Sequence, residues 1–121
     1  MRADFINVKI LLVENHQDTR TGLALLFQKW GHTIFPAETL AEAMELLGRV
    51  RIDVLVCDFG LPDGNGLDVV AKAKKLDPST KAIALTARGS DDDYKVGFET
   101  GVDHYLVKPP DFGELRRLLD Q

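Results

Sequence analysis

Val54-Leu55-Val56-Cys57-Asp58-Phe59-Gly60-Leu61-Pro62-Asp63-Gly64-Asn65-Gly66-Leu67 passes from an apolar run through an aspartate and a Gly- and Pro-rich turn to the first apolar residue of a helical face. Four apolar residues without alternation read as a strand buried on both sides, the usual condition of strands in a parallel sheet covered by helices. The turn then carries the chain from the end of that strand into a helix. Asp58 is thus a carboxylate at the carboxyl end of a buried strand. In an open α/β sheet, ligands bind at such ends.

The rest of the chain repeats the unit. Further apolar runs at Ile10–Val13, Ile34–Phe35, Ala82–Leu85 and Tyr105–Val107 alternate with longer amphipathic segments, the pattern of βα units around a parallel sheet. Leu23, Leu26, Phe27 and Trp30 recur at i, i+3, i+4 and i+7, predicting a helix that starts near Asp18. Thr39 and Glu42 form a capping box for a second helix that turns Ala43, Met44 and Leu47 inward and stops near Gly48–Val50. Leu67, Val70 and Ala71 start a third, closed by Asp77-Pro78. A fourth begins at Ser90, an N-cap followed by Asp91, Asp92 and Asp93, where the helix dipole favours negative charge. A short last helix from Asp111 turns Leu115, Leu118 and Leu119 inward.

Composition narrows the function. A length of 121 residues suits one domain, here 1–121 with residues 1–6 as a loose leader. The formal charge of −4 without Lys/Arg clusters argues against direct nucleic-acid binding. Cys57 is the one cysteine, so no internal disulfide forms, and its apolar surroundings predict a buried, inert thiol. Neither a signal peptide nor a membrane span is legible, so the expectation is a soluble, cytoplasmic protein.

Four runs end in chemically distinctive residues: Glu14 and Asn15, Asp58, Thr86, and Lys108. Feeding one crevice, they would cradle a phosphoryl group's oxygens with carboxylate-bound cation, hydroxyl and ammonium. Asp58 is the natural nucleophile, and an aspartyl phosphate the expected covalent product.

These residues resemble the response-regulator receiver domains of two-component signalling, from about Lys9 to Leu119. The motifs are Leu11-Leu12-Val13-Glu14-Asn15, Val54 to Asp58 with Leu61-Pro62-Asp63-Gly64 and Gly66, Leu85-Thr86-Ala87, and Tyr105-Leu106-Val107-Lys108-Pro109. The resemblance implies a flavodoxin-like (βα)5 fold, a doubly wound parallel five-stranded sheet of order 2-1-3-4-5. It implies Asp58 as phosphoacceptor, with Mg²⁺ (or Mn²⁺) held by Glu14, Asn15, Asp58 and the backbone carbonyl of Gly60. Thr86, Ala87, Lys108 and Tyr105 take the phosphoryl-binding and switch positions, and Pro109 follows a cis bond. The implied donor is a histidine kinase or histidine phosphotransfer protein. The output is a changed helix4-strand5-helix5 surface that meets an unnamed effector, in a monomer or weak dimer that catalyses only its own phosphorylation and dephosphorylation.

Asn15 departs from the family, which usually has a second acid there; a neutral amide is a weaker ligand for a hard dication and lowers metal affinity. Glu14, one methylene longer than Asp, compensates in part through a bridging water. His16 reads as an exposed loop histidine outside the site, and Pro110 stands where the family often has Phe. The alternative function is a degenerate receiver acting as a phosphate-independent interaction module. An aspartate-dependent phosphatase would need a second acid where Gly60 stands. A mononucleotide binder would need a Gly-rich cradle in place of Glu14-Asn15-His16-Gln17-Asp18.

Overall fold

The computed structural model describes residues 7–86 and 91–120, with backbone alone for 91–94. The expectations for residues 1–6, for Ala87, for the Ser90 cap and for the side chains of Asp91, Asp92 and Asp93 lie outside the described residues.

Five parallel strands, β1 (Lys9–Val13), β2 (Thr33–Ala37), β3 (Val54–Asp58), β4 (Lys81–Thr86) and β5 (His104–Val107), form one sheet of order β2-β1-β3-β4-β5. This is the expected doubly wound, flavodoxin-like order 2-1-3-4-5. A two-residue antiparallel bridge pairs Gly60–Leu61 with Gly64–Asn65 beside it. The helices are α1 (Gln17–Lys29), α2 (Leu40–Leu47), α3 (Gly66–Leu76), α4 (Asp91–Thr100) and α5 (Phe112–Leu119). Among the described residues no helix is long and apolar enough to cross a membrane.

Alternate residues of each central strand feed two separate cores. Leu11, Val13, Leu55 and Cys57 meet Ala43 and Leu47 of α2 and Val69, Val70 and Ala73 of α3. Ile10, Leu12, Val54 and Val56 meet Leu23 and Phe27 of α1 and Leu115, Leu118 and Leu119 of α5. Two buried faces explain why the central runs carry no polar alternation. On the edge strand β2, the burial is partial and Pro36 is tolerated because only one side needs backbone hydrogen bonds.

Local differences from the sequence are small. α3 begins at Gly66 and buries Val69, Val70 and Ala73, with Leu67 packed against the same core and Ala71 exposed. The Thr39 side chain accepts from the Glu42 N–H at 3.1 Å, but the Glu42 carboxylate accepts from the Glu38 N–H, one residue before the cap. A second cap comes from afar, since Asp63 accepts from the Leu40 and Ala41 N–H groups at 2.8 and 3.1 Å. Those bonds hold the Asp63 carboxyl below its usual range. They also tie the turn after β3 to the start of α2.

Candidate functional site

Strand register decides which side chains meet. Val13 pairs with Cys57, so Glu14 and Asp58 leave the sheet side by side where the strand order reverses. Asp58 pairs with Leu85 and Thr86 with Val107, which brings Thr86 and Lys108 to the same end. Glu14 is fully buried, and Asp58 and Thr86 are each 8% exposed. The Lys108 ammonium donates to Glu14 Oε1 at 2.5 Å and to Asp58 Oδ2 at 3.1 Å. The Lys108–Pro109 bond is cis, and the Lys108 N–H donates to the Thr86 carbonyl at 2.7 Å.

Charge follows from this geometry. Burial alone would raise the Glu14 carboxyl, but bonds from Lys108 and from the His16 N–H outweigh it and hold the group below its ordinary value. Burial would likewise lower Lys108, and its bonds to Glu14 and Asp58 raise it instead. Both shifts describe one pair that stays ionised at neutral pH. The Cys57 thiol is pushed up by burial and then by the Asp58 and Glu14 charges; it donates to the Asp58 carbonyl at 3.2 Å. It is a buried, protonated thiol.

The loop after β1 is tied down as well. Arg20 donates to the Glu14 and Asn15 carbonyls at 2.9 and 3.2 Å. The Gly60 N–H donates to Asp58 Oδ1 at 3.2 Å, so this residue orients the carboxylate through its amide. Asn15 is half-buried beside Glu14. The structure adds His16 to the group. Its ring Nδ1 lies 3.4 Å from Glu14 Oε2, and one ligand atom each of Glu14, His16 and Asp58 can be found within 4.8 Å of one another. Two carboxylates and an imidazole at that spacing fit a divalent cation.

Tyr105 is half-buried between Phe59 and Phe98, edge-to-face with each at centroid distances of 5.6 and 5.0 Å. Phe59 directly follows Asp58, so the tyrosine touches the residue next to the carboxylate. Its hydroxyl lies against Gly97, where an added Cβ would fall 1.4 Å from the tyrosine oxygen. Gly97→Ala is therefore expected to drive the Tyr105 ring from this place at a cost of about 1–2 kcal/mol. Ring signals of Tyr105 in NMR spectra, with a denaturant midpoint, would check it; an unmoved ring would contradict the packing.

A crevice of two carboxylates, a bridging lysine and a buried threonine at the ends of a 2-1-3-4-5 sheet limits the choice of family. A family model for the response regulator receiver domain matches residues 10–120. The chain belongs to that family. Among curated relatives of this receiver domain, the transcriptional regulatory protein AfsQ1 of Streptomyces coelicolor is 37% identical over 100 residues, which are 83% of this chain and 44% of AfsQ1. The two-component response regulator PhoP of Pseudomonas aeruginosa is 33% identical over 113 residues, 93% of this chain and 50% of PhoP. The chain thus spans about half the length of these curated relatives. A crystal structure of a Burkholderia pseudomallei response regulator with a phosphorylated aspartic acid and a calcium ion shares the fold. Its TM-score is 0.85 at 23% identity, over 90% of this chain and 64% of that one. Receiver domains are the signalling switches of two-component systems, and this chain is one.

Proposed function

We propose that Asp58 accepts a phosphoryl group from a phosphohistidine on a histidine kinase or histidine phosphotransfer protein, in a reaction that needs a divalent cation such as Mg²⁺. The observation that carries this reading is the Lys108 ammonium held between Glu14 and Asp58, with Thr86 at the same strand ends. A carboxylate oxygen of Asp58 attacks phosphorus, the phosphorus–nitrogen bond to the donor breaks, and its electron pair returns to the donor imidazole. Lys108 neutralises charge on the transferring group, and Thr86 offers a hydroxyl to one of its oxygens. Glu14 and Asp58, with Asn15 and the Gly60 carbonyl as the family pattern implies, would hold the cation; bound there, it would neutralise phosphoryl charge.

The added charge of about −1.5 to −2 acts by favouring one of two arrangements already available to the chain. Tyr105, wedged between Phe59 and Phe98, is the part placed to respond. The output is a change in the surface of α4, β5 and α5, where Phe98, Val107 and Phe112 are each more than half exposed. Exposed large apolar side chains on these elements suit a protein partner. The Burkholderia protein shows the same fold with a phosphorylated aspartic acid; at its identity the assignment to Asp58 rests on the geometry here.

Beryllofluoride, a phosphoryl mimic, tests the reading with and without Mg²⁺ by amide NMR. Mg²⁺-dependent shifts at Thr86, Tyr105 and Lys108 are expected, absent in Asp58→Ala. No response at saturating Mg²⁺ would favour the phosphate-independent interaction module instead.

A further inference from the structure

We propose that His16 is a ligand of the cation in this crevice, and that the site therefore selects a first-row transition dication, Mn²⁺ or Co²⁺, over Mg²⁺. The inference rests on reading the crevice as a cation-assisted phosphoryl site. His16 occupies the N-cap position of α1 with extended backbone (φ −75°, ψ 120°), yet its side chain makes no capping bond. Its ring turns back to Glu14 instead, although the side chain is 75% exposed and free to face water. Two His16 nitrogens approach one oxygen: the backbone N–H donates to Glu14 Oε2 at 3.1 Å, and Nδ1 lies 3.4 Å from the same atom.

That spacing suits shared coordination. Two atoms bound to one cation at about 2.1 Å lie about 3 Å apart in octahedral geometry, close to the separation seen here. Asp58 supplies the third donor within 4.8 Å. The composition of the donors then sets the preference. Asn15 removes one anionic oxygen from the loop, and His16 adds an imidazole nitrogen two residues after Glu14. All-oxygen sites suit Mg²⁺, whereas a nitrogen donor gains affinity along the transition series, least at Mn²⁺ and more at Co²⁺, and gains little with Mg²⁺. Loss of a carboxylate and gain of an imidazole both move the selectivity in one direction.

Calorimetric titration of the whole chain with Mg²⁺, Mn²⁺ and Co²⁺, together with electron spin echo modulation of the Mn²⁺ complex, tests the assignment. Mn²⁺ is expected to bind more tightly than Mg²⁺ by at least about tenfold, with a directly bound nitrogen in the spin-echo spectrum. His16→Gln should lose the nitrogen signal and most of the Mn²⁺ preference while Mg²⁺ affinity holds. Mn²⁺ bound without nitrogen, or nitrogen retained in His16→Gln, overturns the assignment; if Asp58→Asn still abolishes binding, the phosphoryl-site reading survives. Failure of every cation to bind the parent chain overturns both.

Discussion

Lys108→Met is expected to lower stability by about 3 kcal/mol at neutral pH, the low end for breaking a buried ion pair because the lysine is 22% exposed. Its stability should also fall as pH rises from about 5 to about 7.5, a range over which the pair's contribution in the parent chain stays constant. In the parent, the folded Glu14 carboxyl lies below its ordinary 4.5, so its contribution is complete above 4.5 and lost as pH falls through the lowered value. Lys108 lies above its ordinary 10.5, so its contribution is complete below 10.5 and lost as pH rises through the raised value. Between those limits the pair contributes in full. Without the lysine, burial and the nearby Asp58 charge act on Glu14 against only the His16 bonds, and the folded carboxyl moves above 4.5. Its stabilising protonated form is then present at low pH and lost as pH rises. Urea midpoints in metal-free buffer at the two pH values read the sign. Parallel curves for variant and parent would mean that water, not Lys108, balances Glu14.

Gly66→Ala carries an effect of similar size for a steric reason. A Cβ at Gly66 would lie 2.5 Å from the Asp58 carbonyl oxygen and 3.0 Å from both Cys57 Sγ and Phe59 Cα. Two of these are backbone atoms around the carboxylate, and backbone does not step aside as a flexible side-chain tip would. Overpacking of this kind costs about 1–3 kcal/mol, and contact with a buried strand end puts the expected loss near 3 kcal/mol. Either α3 lifts from the sheet or Asp58 shifts, so the variant should also show a weakened beryllofluoride response. A denaturation midpoint within about 0.5 kcal/mol of the parent would contradict the close approach of α3 to β3.

Much of the fold was legible because parallel strands covered on both faces are written as uninterrupted apolar runs. Ile10–Val13 and Val54–Cys57 fall inside the strands they announce. Ile34–Phe35 marks only the middle of Thr33–Ala37, since an edge strand is held by backbone bonds that leave no hydrophobic pattern. Leu67 and Val70, read at the start of α3, pack on the sheet, while the close approach of Gly66 to β3 carries no hydropathy signal.

The site divides along the same line. Residue types at strand ends pointed to Glu14, Asp58, Thr86 and Lys108 because strand ends on a doubly wound sheet converge. That Lys108 bridges Glu14, 94 positions away, depends on register and side-chain reach, which no local spacing encodes. His16 reads locally as a loop residue; only the backbone turn after β1 folds its ring onto Glu14. The packing of Tyr105 on Phe59 and Phe98 joins three elements and leaves no motif, although an aromatic directly after the strand-end aspartate is a signal that could be sought.

The measurement that bears most directly on the central claim is intact mass after incubation with acetyl phosphate and Mg²⁺ or Mn²⁺, followed by peptide mapping of the modified residue. A cation-dependent gain of one phosphoryl group on Asp58, lost in Asp58→Asn, is the predicted result; no gain with either cation, or a gain that persists in Asp58→Asn, would contradict it.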